Sequence, residues 1–288
     1  MTAAAERSAS SGRPAERAGL GLWSLGAAIR LAWRRALRGR GVRVALVAVR
    51  VVLAFPTVIA LLHLLAAWGL LDPIAWVRDL DSASLVESTH DYGFYRLLVF
   101  LFPLLFAAGL VAEEVEGRTW SYLAVNAAGR NATVLGGWLV AAALCLAFLA
   151  AGMLAIHVIG YAADPGGMIE GLGATGRAIA GAALLTVAYC AIAFFWSVMT
   201  PSAARVLTAV HLGIFEWGLA NSIGMLRLLS LNTMGRAIGG LEEGGFLTDW
   251  GPDPSVPVAV AVIVAGAVVW LGLALFALNL RELRQGRA

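Results

Sequence analysis

The sequence predicts an all-α, polytopic integral membrane protein with six transmembrane helices and both termini in the cytoplasm. Three observations carry that prediction. Of the 288 residues, 60% are hydrophobic and 14% are charged, against about 45–50% apolar and about 25% charged residues in a soluble domain. Mean hydropathy is +0.81. Every one of the 21 basic side chains is an arginine, and most of them lie outside the apolar runs.

Residues 1–19 are rich in Ala, Ser and Arg, with no continuous apolar core and no cleavage site behind one, so they read as a disordered cytoplasmic tail rather than a secretory leader. Residues 20–43 change character. Leu22, Leu25, Ile29, Ala32, Trp33 and Ala36 share one side of a helical wheel, and Arg30, Arg34, Arg35 and Arg38 the other. An amphipathic helix in the inner membrane interface is expected there, with its arginines at anionic headgroups; a general positive-inside anchor fits the same pattern.

A helix rises about 1.5 Å per residue, so roughly 20 mainly apolar residues are needed to cross a core about 30 Å thick. Runs at 44–71, 95–112, 134–161, 178–199 and 256–280 meet that need, the second being short but rich in Phe and Leu. A sixth run, 206–228, is less apolar because it carries His211, Glu216 and Asn221. Counting it as a span keeps the loop charges on consistent sides. Arg7, Arg13, Arg17, Arg30, Arg34, Arg35, Arg38, Arg40 and Arg43 precede the first run, and Arg281, Arg284 and Arg287 follow the last. Both ends are therefore expected inside, with a spanning domain over 44–280 and a cytoplasmic tail at 281–288. The loops expected outside carry Asp72, Asp79, Asp81, Glu87, Asp91, Asp164, Glu170, Glu242, Glu243, Asp249 and Asp253. The cytoplasmic (plasma) membrane of a bacterium or archaeon is the natural location.

Chemistry is sparse. Cys145 and Cys190 fall inside apolar runs, where they behave as small apolar residues and imply no disulfide or metal framework. His63 and His157 are isolated within spans, without the paired Cys, His or acid spacing of a metal site. Arg50 is expected to snorkel to the inner interface. Without any lysine the chain has no phosphate-binding loop of the P-loop type. An ATP-driven process would require its ATPase on another chain.

The most informative stretch is the loop 113–133. Glu113, Glu114 and Glu116 mark the exit of the second span into water, Gly117 breaks the helix, and Thr119 can cap a new short helix exposing Trp120, Tyr122 and Leu123 before the turn at 126–129. Arg130 and Asn131 lead into the third span. Two aromatics and a leucine on a cytoplasmic loop are costly to leave in water, so a partner groove is expected to receive them.

At Glu113, Glu114, Glu116, Arg118, Thr119, Tyr122, Leu123 and Arg130 the chain resembles the permease subunits of type-2 ABC transporters, the exporter-like group. Ala127 stands where members usually carry proline, and Gly137 where they carry lysine, which removes a turn constraint and an inner-surface anchor. The resemblance implies that the loop 113–133 is a coupling helix seated in a cytoplasmic ABC ATPase subunit. It also implies a second permease copy or paralogue around a central pathway, and ATP and Mg²⁺ on the partner, with no cofactor, metal or catalytic residue in this chain. The link 200–205 would be a second inner contact, or simply a short proline turn.

Glu216 is the sharpest single-residue candidate, because a carboxylate inside a span costs at least about 2.5–3.5 kcal/mol and should face a polar cavity or a partner. His211 and Asn221 lie five residues to either side, about 140° away in opposite senses, so the three do not form one tight cluster. The expected role is a polar wall of the translocation route; the alternatives are a buried hydrogen bond or a break in the fifth helix. The outer segment 229–255 has helical spacing at Leu229, Met234, Ile238 and Leu241 around Arg236. A small helical hairpin or re-entrant lid and an ordinary solvated loop both fit it.

The leading functional expectation is thus an ABC permease subunit, an exporter, bound to membrane lipid and an ATPase and with no nucleic-acid partner. A non-transporting membrane scaffold or assembly factor would use a docking helix equally well. An intramembrane enzyme fits worse, since there is no His-Glu-x-x-His, no Gly-x-Ser-x-Gly and no aspartate pair within the spans.

Overall fold

The computed structural model describes residues 14–70, 81–110, 112, 130–222, 224–241 and 254–285. Among them the chain is all-α, with no strand. The loop 114–129 that carries most of the coupling motif, with Glu113 before it, lies outside the described residues, as does 242–253 of the outer segment.

Helix α1 (Pro14–Arg38) begins six residues before the amphipathic pattern becomes legible. Its buried stripe is narrower than the wheel suggested: Ala28, Ala32 and Ala36 are buried, whereas Trp33 is 42% exposed. The reason lies in the partner surface, since α1 packs along the start of the third span. A Cβ at Gly136 would sit 3.0 Å from the Ala28 Cβ. Small residues on both sides let the two backbones meet, and the tryptophan turns outward.

Helix α2 (Arg40–Ala67) follows after Gly39 and contains Pro56. It lies at the periphery of the bundle, with Val47, Val51, Phe55 and Val58 exposed. The second span, α3 (Ser82–Leu110), starts well before the apolar run predicted at Tyr95. Asp81 caps it, its Oδ1 accepting from the Ser84 N–H at 2.6 Å, which holds the carboxyl below its ordinary pKa. The polar stretch through Thr89, His90, Asp91 and Tyr92 hid this first half from a hydropathy reading. It remains helical because its polar groups find partners inside the bundle. Two segments of α3, Thr89–Leu98 and Pro103–Ala107, are π-helical.

The third span, α4, occupies Arg130–Gly160. After a short helix α5 (Pro165–Glu170), capped by Asp164 through the Gly167 N–H at 3.0 Å, the fourth span α6 runs over Leu172–Met199. It is the most buried of the long helices. Phe102, Phe106 and Phe148 interlock α3 with α4, with ring centroids 5.6–6.2 Å apart. The Cys145 and Cys190 sulfurs meet 3.8 Å apart between α4 and α6, buried as small apolar groups.

The next helix, α7, runs through residues 204–220 as α-helix, a π-helical segment His211–Glu216 and a final α-turn. A 3₁₀ turn (Gly224–Leu229) and a short helix, α8 (Leu231–Gly239), follow, and the chain closes with α9 (Val256–Gln285). Among the described residues five helices are long and apolar enough to cross a membrane: α2, α3, α4, α6 and α9. The chain is therefore a helical, multi-pass membrane protein. At the sixth expected span, 206–228, the structure has α7 ending at Ala220 and the chain turning back on itself.

Candidate functional site

Helix α8 lies inside the bundle rather than above it. Of its residues, all but Ala237 are buried. It packs along α6 and α9. Its N-terminal half meets Leu185, where a Cβ at Gly235 would lie 2.9 Å from Cδ2, and its C-terminal half meets Ala178 through Gly239. At about 1.5 Å per residue those contacts fall roughly 9 to 20 Å along α6 from Leu172. The chain thus ascends through α7, descends through the 3₁₀ turn and ascends again in α8, which makes a re-entrant hairpin.

Glycine permits that approach. A Cβ at Gly181 of α6 would collide with the Tyr95 hydroxyl and the Gly235 carbonyl and would come within 2.9 Å of the Gly239 nitrogen. At the far end Gly240 has φ of +66°, and the Leu241 N–H bonds back to the Arg236 carbonyl at 3.1 Å. This left-handed terminus stops the helix and buries Leu241.

Two anchors hold α8 in the bundle. The first is at its N-terminus, where Glu216 Oε2 accepts from the Leu231 N–H at 2.7 Å, from the Ser230 hydroxyl at 3.1 Å and from the Tyr189 hydroxyl at 3.3 Å. Ser230 Oγ in turn accepts from the Asn232 N–H at 3.1 Å. Three side chains, Tyr189 of α6, Glu216 of α7 and the cap residue Ser230, thereby close the buried, positive end of a helix with a carboxylate. The second anchor is ionic: Arg236 Nε lies 2.7 Å from Asp91 Oδ1, and Arg96 Nη2 lies 3.0 Å from Asp91 Oδ2. The Arg96 guanidinium also stacks 4.5 Å above the Tyr92 ring. Asn232 Nδ2 donates to the Tyr95 carbonyl at 3.1 Å, and the Tyr95 hydroxyl donates to the Ala178 carbonyl at 2.6 Å.

Both anchors sit on π-helical turns, Thr89–Leu98 and His211–Glu216. π-Turns are rare and concentrate at functional positions, because the extra residue per turn re-aims side chains and frees carbonyls for outside donors. The Tyr95 and Glu216 carbonyls use that freedom, accepting from Asn232 and from Ser230 Oγ at 2.9 Å.

The three intramembrane candidates have separate surroundings. Glu216 is 6% exposed and is occupied in capping α8. His211 lies among aromatic rings, its centroid 5.0 Å from that of Trp270 and 6.2 Å from that of Trp196. Asn221 ends α7, donating to the Trp217 carbonyl at 2.7 Å. Of the coupling residues, Glu113, Glu114, Glu116, Arg118, Thr119, Trp120, Tyr122 and Leu123 lie outside the described residues, and Arg130 is the first residue of α4.

Asp91, Tyr95, Tyr189, Ser230, Asn232 and Arg236 complete the hub, and none was singled out by motif. The available signal was the placement of both Asp91 and Arg236 on the same expected side of the membrane. Two buried histidines serve packing: His157 of α4 bonds the Thr175 hydroxyl at 2.8 Å and the Met168 carbonyl at 2.9 Å, and His90 of α3 bonds the Met153 carbonyl of α4 at 3.3 Å. Among the described residues no group of three or more His, Cys, Asp or Glu side chains could hold a metal ion. What the arrangement offers is a polar helix inserted into an apolar bundle and tied there by hydrogen bonds and an ion pair. Comparison with known protein families, with curated proteins and with solved structures finds no match.

Proposed function

We propose that this chain is the membrane-spanning permease subunit of an ATP-driven transporter of the type-2 ABC class, an exporter, with ATP and Mg²⁺ bound by a separate cytoplasmic ATPase. The observation that carries the reading is the re-entrant helix α8, anchored by Glu216 and Asp91. Broken helices and irregular backbone at membrane depth are tolerated only where protein or a water-filled cavity surrounds them, which is the construction of transporters. The coupling pattern from Glu113 to Arg130 supports the same reading. In it, α7 acts as the fifth of six spans, its 204–220 stretch being about 25 Å long. Both termini are cytoplasmic, in the plasma membrane, and a second permease copy or paralogue completes the pathway.

Under this reading, closure of the ATPase pushes the loop 113–133 and tilts α3, whose π-turn carries Asp91. The motion thus reaches α8 through the Asp91–Arg236 ion pair and the Asn232–Tyr95 hydrogen bond. Trp120→Ala with Tyr122→Ala should leave insertion intact, abolish co-purification with the proposed partner ATPase, and reduce stimulated ATP hydrolysis by at least about tenfold. Wild-type association and hydrolysis in that double variant would sink the docking role.

A further inference from the structure

The buried residues of α7, Ala204, Thr208, Leu212, Glu216 and Ala220, follow one another at four-residue spacing. In an α-helix four residues turn about 400°, so such a stripe drifts about 40° a step and about 160° from end to end. The π-turn His211–Glu216 corrects that drift, because a turn closed one residue later takes up about 100° and keeps the stripe on the bundle side. Nothing covalent fixes this turn: the π-turn Pro103–Ala107 begins on a proline that removes an N–H, whereas α7 has no proline between 204 and 220. Thr208 shows what the register costs. It is 0% exposed and its hydroxyl has no hydrogen-bond partner, although Thr57, Thr89 and Thr186 each bond the carbonyl four residues back at 2.6–2.8 Å. A buried unpaired hydroxyl disfavours the π register. Opposing it are the burial of Leu212 and the Ser230 hydroxyl at the start of α8, shared between the Glu216 carbonyl at 2.9 Å and carboxylate at 3.1 Å.

We infer that this π-turn is a one-residue ratchet set by the seating of α8. While Ser230 holds the Glu216 carbonyl the turn stays π; when α8 withdraws, the turn reverts to α-helix and 204–210 rotates about 100° against Glu216. Ala209 then takes the place of Thr208, and Gly213 that of Leu212. Both are exposed while α8 is seated, and both are smaller than the residues they replace, so the rotation meets no overpacking. The Thr208 hydroxyl leaves its apolar surroundings. Arg205 moves toward the place of Ala204 in the first turn, with a side chain long enough to keep its guanidinium beyond the helix end. The state of α8 is thereby passed to the link between α6 and α7, about 18 Å along the helix from Glu216. The inference rests on the packing of α7 and α8 and is independent of the transport reading, so either can fail alone.

The test uses the full chain in detergent, with the buried native Cys145 and Cys190 as the blank. Thr208→Cys and Ala209→Cys, made singly, report the register by their rates of reaction with N-ethylmaleimide. In a Ser230→Ala background position 208 should react about fivefold faster, the shift that one lost hydrogen bond gives a two-state equilibrium, while position 209 holds or slows. Deleting Gly213 as well removes the surplus residue and closes the turn as α-helix with the stripe still aligned, so position 208 should return to its protected rate. Acceleration at both positions would show that α7 merely loosens and would overturn the inference. So would an unchanged rate at position 208 in the Ser230→Ala background, or a deletion that fails to restore protection. If the deletion variant does not fold, Thr208→Val takes its part: an apolar group of the same shape removes the unpaired hydroxyl and should raise the melting temperature, and a lower one would equally overturn the inference.

Discussion

Glu216 illustrates how one side chain can make a polar insertion affordable in an apolar interior. Its carboxylate receives the Leu231 N–H, the Ser230 hydroxyl and the Tyr189 hydroxyl; without it the Leu231 N–H and the Tyr189 hydroxyl lose this acceptor, while the Ser230 hydroxyl keeps the Glu216 backbone carbonyl at 2.9 Å. A buried unsatisfied donor costs about 1–3 kcal/mol. Glu216→Ala should therefore lower stability by about 2–4 kcal/mol, seen as a lower melting temperature in detergent. Glu216→Gln keeps one acceptor oxygen and should cost about 1 kcal/mol, while altering transport without loss of folded protein. Equal melting temperatures for wild type and Glu216→Ala would remove the capping role. Asp91 works by charge instead: with Arg236 3% exposed, breaking the pair leaves a buried cation, a loss of about 3–5 kcal/mol.

The elements that hold the site are those whose hydropathy is poorest. The long apolar helices α2, α4, α6 and α9 could be read directly, because continuous apolar runs of sufficient length have few other stable outcomes. The first half of α3 could not, since Thr89, His90 and Asp91 look like loop residues until Arg236 and the Met153 carbonyl supply their partners. For α8 the Met234 and Ile238 spacing allowed a helix, but whether it lay in water or in the bundle depended on Gly181, which only matters once Gly235 and Gly239 lie against it. Gly181→Leu should expel α8 from the bundle and cost at least about 3 kcal/mol through overpacking and loss of both anchors. A cysteine placed at Ala237 in that background should become reactive to a membrane-impermeant maleimide. Protection of that cysteine equal to its protection in the wild-type background would show that α8 does not need the glycine seam.

At the scale of the molecule, the orientation of the bundle links the site to its proposed motor. Under the proposed orientation, with arginine-rich ends inside and acidic loops outside, the loop 113–133 would face the cytoplasm and α8 would enter from the opposite side. A single cysteine at Trp120 should react with an impermeant thiol reagent only after the cells are opened, and one at Asp79 should react in intact cells. Labelling of position 120 from outside would end the coupling model. By itself the sequence determined the class of the protein, its all-helical spans and the arginine bias, because a bilayer accepts few backbone solutions and reads composition and length directly. The tertiary structure alone decided that residues 224–241 fold back into the bundle, and that Glu216 and Asp91 serve that fold. Those outcomes depend on which donors, glycines and charges meet across distant parts of the chain, and hydropathy along one segment carries no information about its partners.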